Sequence, residues 1–201
     1  LVMDAAEFFT ACYADEERVK RFMAMITELV IAFSRAQMRV IGEELVARPG
    51  HIMPSGTFLR GISISDDNLA VSSPHINEVI SLPYNAQIAE AFGGLAIHSC
   101  GAWTKTMAVL AEKCPGVVMI DCAASREMDP NPNTLEDIRE ALAGTGIVAK
   151  VRVGSREDEL RAVAERLADK RLPLVLEIGY DEQNAERNYK TAAELLGKVY
   201  G

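Results

Sequence analysis

The sequence lacks the features of membrane and secreted proteins. No apolar run reaches the roughly 18 residues that a membrane-spanning helix needs. The first residues, Leu1-Val2-Met3-Asp4, show no basic region followed by an apolar stretch, so no secretory signal is predicted. The chain also begins at leucine rather than methionine, which we interpret as a fragment or a processed form.

Cysteine is scarce, with four residues at irregular spacing. Four cysteines are too few for a disulfide scaffold. Cys12 and Cys114 lie within or beside helical patterns, and we expect them to be buried thiols. We therefore expect a protein of the reducing cytoplasm. Nucleotide-binding loops are also missing: neither G-x-G-x-x-G nor G-x-x-x-x-G-K-S/T occurs.

Positive charge is in deficit, because 21 Lys and Arg face 29 Asp and Glu and give a formal net charge of −8. An acidic surface repels nucleic acid and anionic membranes, so neither is expected as a partner. We therefore expect a small-molecule substrate. A negative net charge is also compatible with a local basic pocket that binds an anionic substrate.

We interpret residues 1–201 as a single domain with a helical lead-in at 1–56 and βα units at 57–201. From Asp15 to Ala47 apolar residues recur near helical period, which predicts one long helix or two joined ones. Arg48 to Ser55, with two prolines and a glycine, is predicted as a loop.

Beyond the lead-in, apolar or mixed runs alternate with helical stretches. This is the pattern of βαβ units, and it predicts a parallel sheet with its strands in sequential order. Helices are predicted at about 75–92, 103–113, 134–143, 156–170 and 184–199, and Pro83 should kink or restart the first of them. The predicted strands are Phe58–Ile64, Leu95–His98, Val117–Asp121, Ile147–Val153 and Leu174–Ile178.

The pattern predicts an α/β fold but does not show whether the sheet is open or part of a barrel. A complete (β/α) barrel of the TIM type has eight units and about 250 residues. This chain supplies about five, so either the sheet is open or the barrel is incomplete.

Polar or metal-competent residues follow each predicted strand. Ligands of parallel α/β folds bind beyond the carboxyl ends of the strands, so these residues are candidates for a shared site. They are Asp66, Asp67, His98, Cys100, Asp121, Cys122, Arg152 and Glu177.

The clearest metal signal is His98-Ser99-Cys100. Residues two apart in an extended segment point to the same side, so imidazole and thiolate can share one ion, and zinc suits this mixture of ligands. Asp121, Cys122 and Glu177 are candidates for further ligands. The alternative is that His98 satisfies a core hydrogen bond and Cys100 is a small buried side chain.

Four further candidate residues have structural alternatives. Of Asp66 and Asp67, we expect one to face the site for acid–base chemistry or substrate orientation and the other to cap the next turn. Arg152 lies between two valines and is positioned for an anionic group or for a structural ion pair. Tyr84 either reaches the site or packs against the wall of the sheet.

Four short motifs follow one another in order between residues 61 and 101. They are Gly61-Ile-Ser-Ile-Ser-Asp-Asp-Asn68, Ser73-Pro74, Leu82-Pro83-Tyr84 and Ile97-His-Ser-Cys-Gly101. In order and spacing they resemble the uroporphyrinogen decarboxylase-like superfamily, which includes porphyrinogen decarboxylases, methylcobamide:coenzyme M methyltransferases and, more distantly, cobalamin-independent methionine synthase. The resemblance extends loosely from about residue 5 to residue 197.

The resemblance implies the later five units of a (β/α)8 barrel and favours the methyltransferase branch. In those enzymes zinc binds a thiol and presents it as a thiolate to a methyl donor such as methylcobalamin or a corrinoid protein. His98 and Cys100 match two zinc ligands, and Asp121 matches an acidic ligand of methionine synthase. The usual later cysteine is absent from Leu176 to Asn184, where Glu177 is a replacement candidate.

Two other functions stay open. The first is a metal-free decarboxylase, a carboxy-lyase acting on a tetrapyrrole or another carboxylated substrate, although the arginine and aspartate motifs of that branch belong to the N-terminal part of the barrel. The second is a non-catalytic fragment that completes a barrel by self-association or with a missing N-terminal half.

Overall fold

The computed structural model describes residues 4–42 and 60–201, and in them helices alternate with parallel strands. Two helices precede the sheet, α1 (Ala5–Ala14) and α2 (Glu16–Ile41). The predicted loop at 48–55, the end of the predicted lead-in helix and the first residues of the predicted strand at 58–64 lie outside the described residues. The strands are β1 (Ile62–Ser65), β2 (Leu95–His98), β3 (Val117–Ala123), β4 (Val148–Val153) and β5 (Leu174–Ile178).

Helices fill each connection between strands. The predicted helix at 103–113 is two short helices, and the one at 156–170 ends in a π-helical turn at Val163–Leu167. The connecting and final helices are α3 (Asn68–Val71), α4 (Pro74–Ile76), α5 (Leu82–Phe92), α6 (Thr104–Met107), α7 (Leu110–Lys113), α8 (Leu135–Leu142), α9 (Glu157–Ala162) and α10 (Ala185–Tyr200).

Aspartates set the ends of the two leading helices. Asp4 Oδ1 accepts hydrogen bonds from the backbone N–H groups of Ala6 and Glu7 at 2.9 and 3.2 Å and caps α1. Asp15 follows α1 and caps α2 by accepting from Arg18 N at 3.1 Å. A side chain that accepts from the first-turn N–H groups favours helix initiation at that point. The predicted helical segment that starts at Asp15 is therefore one long helix, α2, as far as Ile41, and α1 precedes it. The helix α2 packs on α5.

The connection from β1 to β2 shows how local chemistry divides a predicted helix. Ser73 Oγ accepts from Ile76 N at 3.3 Å and caps α4. A π-helical turn at Asn77–Ser81 follows, and α5 begins at Leu82 with Pro83 in its first turn. Proline is tolerated there because first-turn N–H groups have no helical acceptor, so the helix restarts where the sequence predicts.

The five strands form one parallel sheet in the order β1-β2-β3-β4-β5, which confirms the predicted α/β class and parallel sheet. Crossovers between parallel strands are right-handed, so a strand order that advances in one direction places the connecting helices on one face. Gly61 permits the approach of β1 to β2: it has a φ of +92°, and a Cβ there would lie 1.7 Å from Gly94 O.

The two faces of the sheet differ in character. Side chains that face the helices form the main core, which includes Ile97, Ile120 and Val151. On the other face Ala96 and Met119 form a small apolar cluster. Further along that face, His98, Asp121 and Lys150 are in register on neighbouring strands. The carboxyl end of the sheet is therefore polar on the face opposite the main core.

Among the helices that the structure describes, no helix combines the length and the apolar character that crossing a bilayer requires.

Candidate metal centre

Asp67, His98 and Cys100 converge at the carboxyl end of β1 and β2. His98 is the last residue of β2, Cys100 lies two residues further on, and Asp67 follows β1. One ligand atom of each residue lies within 4.8 Å of the others. Parallel pairing of Ser65 with His98 brings the two loops together. The strand register therefore places Asp67 next to His98, although the two residues lie far apart in the sequence.

The contacts among these three residues are short. His98 Nε2 lies 3.2 Å from Cys100 Sγ and 3.7 Å from Asp67 Oδ1. Cys100 N donates a hydrogen bond of 2.8 Å to the same Asp67 oxygen. Asp67 therefore contacts both the backbone of Cys100 and the imidazole ring of His98.

The other ring nitrogen of His98 contacts Asp121 on β3. Nδ1 lies 3.2 Å from Asp121 Oδ1, and both side chains are buried. An ionised carboxylate only accepts hydrogen bonds, so Nδ1 is the donor. In the neutral imidazole the proton then resides on Nδ1, and Nε2, which faces Cys100 and Asp67, carries a lone pair. This is the arrangement in which a carboxylate orients a histidine that binds metal.

Two cations keep Asp121 ionised. Lys150 Nζ lies 2.6 Å from Asp121 Oδ2, and Arg152 Nε lies 2.9 Å from Asp121 Oδ1. Burial acts to raise the pKa of Asp121, but hydrogen bonds from His98 and Lys150 and the charges of Lys150 and Arg152 outweigh it and hold the pKa below its ordinary value. Lys150 also donates to Glu177, at 2.5 Å, so two cations face two carboxylates.

The three converging residues fit a zinc ion by donor chemistry and spacing. Imidazole nitrogen, thiolate sulfur and carboxylate oxygen are all zinc ligands, with bond lengths of about 2.0–2.3 Å. Tetrahedral angles at those bond lengths separate neighbouring ligand atoms by roughly 3.4–3.6 Å. The observed separations of 3.2 and 3.7 Å from His98 Nε2 bracket this range. Three protein ligands leave one of four positions for a substrate.

Cys100 is the only exposed one of the four free cysteines. Desolvation, and after it the negative charge of Asp67, raises the pKa of the Cys100 thiol. Without a metal the side chain is therefore a thiol at neutral pH. A divalent cation binds the thiolate and displaces the proton.

Asp66 and Asp67 have different partners, although they are adjacent in the sequence. Asp66 Oδ2 accepts a hydrogen bond of 2.8 Å from Asn85 on α5, in the helical layer. Burial raises the pKa of Asp66, although the Asn85 hydrogen bond opposes the shift. Of the two aspartates, Asp67 is the one in contact with His98 and Cys100.

The remaining sequence candidates lie around this centre or away from it. Asp121 contacts the centre through Nδ1 of His98, and Arg152 through Asp121. Glu177 is one further step removed, because it contacts Lys150. Tyr84 lies in the helical layer, where its hydroxyl donates to Lys20 O at 2.7 Å.

Sequence reasoning missed three residues around the centre. Lys150 is 4 % exposed and joins Asp121 to Glu177; its signal was a lysine inside the apolar strand β4. Asp129 and Asn133 are also buried and contact the segment that carries Cys100. Their signal was weak, because aspartate and asparagine are common in loops.

Comparison with protein-family models, with curated proteins and with solved structures finds no match for this chain. Membership of the uroporphyrinogen decarboxylase-like superfamily therefore stays a prediction from the four motifs.

Proposed function

We propose that this protein is a zinc-dependent methyltransferase of the uroporphyrinogen decarboxylase-like superfamily. It binds zinc through Asp67, His98 and Cys100 and transfers a methyl group from a corrinoid or similar donor to a thiol. The observation that carries the proposal is the orientation of His98. Its Nδ1 donates to a buried carboxylate, and its Nε2 lies 3.2 Å from Cys100 Sγ.

The strand order supports a partial (β/α) barrel over an open doubly wound sheet. A doubly wound sheet reverses its strand order and has helices on both faces, whereas the order here advances in one direction. One face carries the main apolar core, and the other has polar side chains at its carboxyl end. Active sites of such barrels lie at that end of the strands.

The β5 edge of the sheet supports a partner that completes the barrel. Within residues 4–42 and 60–201, β5 pairs only with β4. An edge strand presents backbone N–H and C=O groups to a further strand. We propose that a second copy or a chain supplying the N-terminal half covers this edge.

Each residue of the proposed zinc site has a separate role. Asp121 holds the proton of His98 on Nδ1, and Lys150 and Arg152 keep Asp121 ionised. Asp67 fixes the backbone of Cys100 and supplies an oxygen ligand. When bound, zinc lowers the pKa of a coordinated thiol and holds it as a thiolate.

The reaction forms a carbon–sulfur bond and breaks the bond between methyl group and donor, and the thiol proton leaves to solvent. A small-molecule thiol fits the single position that three protein ligands leave, and the methyl donor is methylcobalamin or a corrinoid protein. A reducing cytoplasm suits this chemistry, because Cys100 and the other three cysteines are free thiols.

Methyl transfer from free methylcobalamin to 2-mercaptoethanol tests the proposal. The zinc-reconstituted protein should consume methylcobalamin, measured as a loss of its absorbance, and form the methyl thioether, detected by mass spectrometry. His98→Ala and Cys100→Ser should abolish both, whereas Cys12→Ser, the same exchange at a buried helical cysteine, should not.

The same preparation separates the alternatives. Decarboxylation of a porphyrinogen by metal-free protein would replace the methyltransferase with a carboxy-lyase. A folded protein that binds no zinc and joins a separately made N-terminal half-barrel would identify a non-catalytic fragment.

A further inference from the structure

The segment from Ser99 to Trp103, which carries Cys100, is held by two side chains from the loop after β3. Asp129 Oδ2 accepts a hydrogen bond of 2.8 Å from Gly101 N. Asn133 accepts one of 2.8 Å from Trp103 N through Oδ1 and donates one of 3.0 Å to Gly101 O through Nδ2. Three backbone groups on Gly101 and Trp103 are thus bound by two side chains.

Both side chains are themselves anchored. Asn133 is 3 % exposed, and its Nδ2 and backbone N donate to Ala123 O, at the end of β3, at 3.1 and 2.9 Å. Asp129 is 7 % exposed and also accepts from Asn131 N at 2.8 Å. Because buried polar groups with all partners in place resist displacement, the pair forms a rigid support that extends from β3.

The support fixes the backbone immediately after Cys100, while Asp67 fixes the backbone at Cys100. Gly101 lies between these contacts with a φ of +74°, and a Cβ there would lie 3.0 Å from Ala70 Cβ. The chain therefore turns sharply right after Cys100. In that turn the direction of the Cys100 side chain depends on the hydrogen bonds of Gly101.

We propose that Asp129 and Asn133 are positioning residues that hold Cys100 Sγ at ligating distance from His98 Nε2. The inference rests on the proposed zinc site and adds to it a support that comes from β3 rather than from β1 or β2. Metal-binding side chains depend on such outer contacts, whose loss typically weakens metal affinity by about 10–100-fold.

The test compares zinc affinity, measured by competition with a chromophoric chelator, in Asp129→Ala, Asn133→Ala and wild type. Both variants should bind zinc about 10–100-fold more weakly. Asp129→Asn, which keeps an oxygen acceptor for Gly101 N, should recover most of the affinity. Thr134→Ala is the matched control, because Thr134 lies in the same loop and its hydroxyl accepts from Asp137 N, at the cap of α8, rather than from the Cys100 segment.

Two readouts separate positioning from a general loss of stability. In cobalt-substituted protein, the sulfur-to-cobalt charge-transfer band should weaken in Asp129→Ala and Asn133→Ala and persist in Thr134→Ala. In metal-free protein, hydrogen exchange at Gly101 N should accelerate in Asp129→Ala and exchange at Trp103 N in Asn133→Ala.

Zinc affinities within twofold of wild type in both alanine variants would overturn the inference, as would unchanged exchange at both amides. A wild type that binds no zinc would overturn the proposed function, and the role of Cys100 as a zinc ligand with it. Zinc binding in wild type with unaffected variants would overturn the inference alone.

Discussion

Asp121 and His98 lie side by side on neighbouring strands, with Asp121 Oδ1 3.2 Å from His98 Nδ1. The pair is in register in the parallel sheet, so the contact is fixed by two strands rather than by a loop. Lys150 and Arg152 contact the same carboxylate from β4. The orientation of the imidazole ring is thus set by three strands.

Asp121→Asn should weaken zinc binding by about 10–100-fold, because a neutral amide no longer holds the Nδ1 proton as strongly. It should also lower the free energy of unfolding of the metal-free protein by about 3–5 kcal/mol, since Lys150 and Arg152 lose their buried counter-charge. Chelator competition and urea unfolding measure the two effects.

Glu177→Gln is the matched control for that substitution. It removes the other partner of Lys150, but the Glu177 side chain is 45 % exposed, and its ion pair is with Lys150 rather than with a residue of the proposed zinc site. Its effect on stability should stay within about 0–1 kcal/mol, and zinc affinity should be unchanged. Equal loss of zinc affinity in the two variants would show that Asp121 has no special role.

Thiol reactivity should identify Cys100 in the native protein. Cys100 is exposed to the reagent, whereas Cys114 and Cys122 are buried, and burial also raises their pKa, that of Cys114 to about 12. Cys12 is buried too. A disulfide reagent should therefore modify about one thiol per native chain at pH 8, and four in urea.

Zinc should slow this modification, because the bound thiolate is no longer available to the reagent, and Cys100→Ser should remove it in the native state. Rapid reaction of two or more native thiols, or a rate that zinc leaves unchanged, would contradict the account of Cys100.

Asp66 gives a pH dependence of known sign. Its pKa in the folded protein lies above the unfolded value of about 3.9, so the stability that its protonated form contributes is present below that value and is lost as pH rises through the folded pKa. Relative to wild type, Asp66→Asn should therefore gain stability between pH 4 and pH 7. Asp121 acts in a different window, because its lowered pKa costs stability only as pH falls below about 3.9.

Urea unfolding of wild type and Asp66→Asn at several pH values measures that difference. Asp137→Asn, on the first turn of α8 outside the sheet, is the control and should show no comparable rise. A difference between wild type and Asp66→Asn that stays constant or declines from pH 4 to pH 7 would refute the placement of Asp66 in the helical layer.

Periodicity predicted the strands well, because each is a short apolar or mixed run with charged or glycine-containing flanks. Leu95–His98 and Leu174–Ile178 have the predicted bounds. The predicted helix at 75–92 was less accurate, since the π-helical turn at Asn77–Ser81 follows from packing rather than from residue spacing. Strand order was predictable as well: repeated βαβ units predict parallel strands in sequential order, and the observed order β1-β2-β3-β4-β5 confirms it.

The site was predictable where chemistry and strand ends coincide, as at His98 and Cys100. The sequence alone did not show which of Asp66 and Asp67 faces the site. Side-chain direction alternates from one residue to the next, so a shift of one residue exchanges the two. Lys150, Asp129 and Asn133 act on the site through hydrogen bonds to residues 27 or more positions away. Contacts at such distances in sequence arise from the sheet and leave no local pattern.

Zinc stoichiometry tests the central claim most directly. Elemental analysis of protein purified without chelator and reconstituted with zinc should give about one ion per wild-type chain, and much less for Cys100→Ser and His98→Ala. Absence of zinc from the reconstituted wild type, or full zinc content in both variants, would contradict the metal centre and the methyltransferase function built on it.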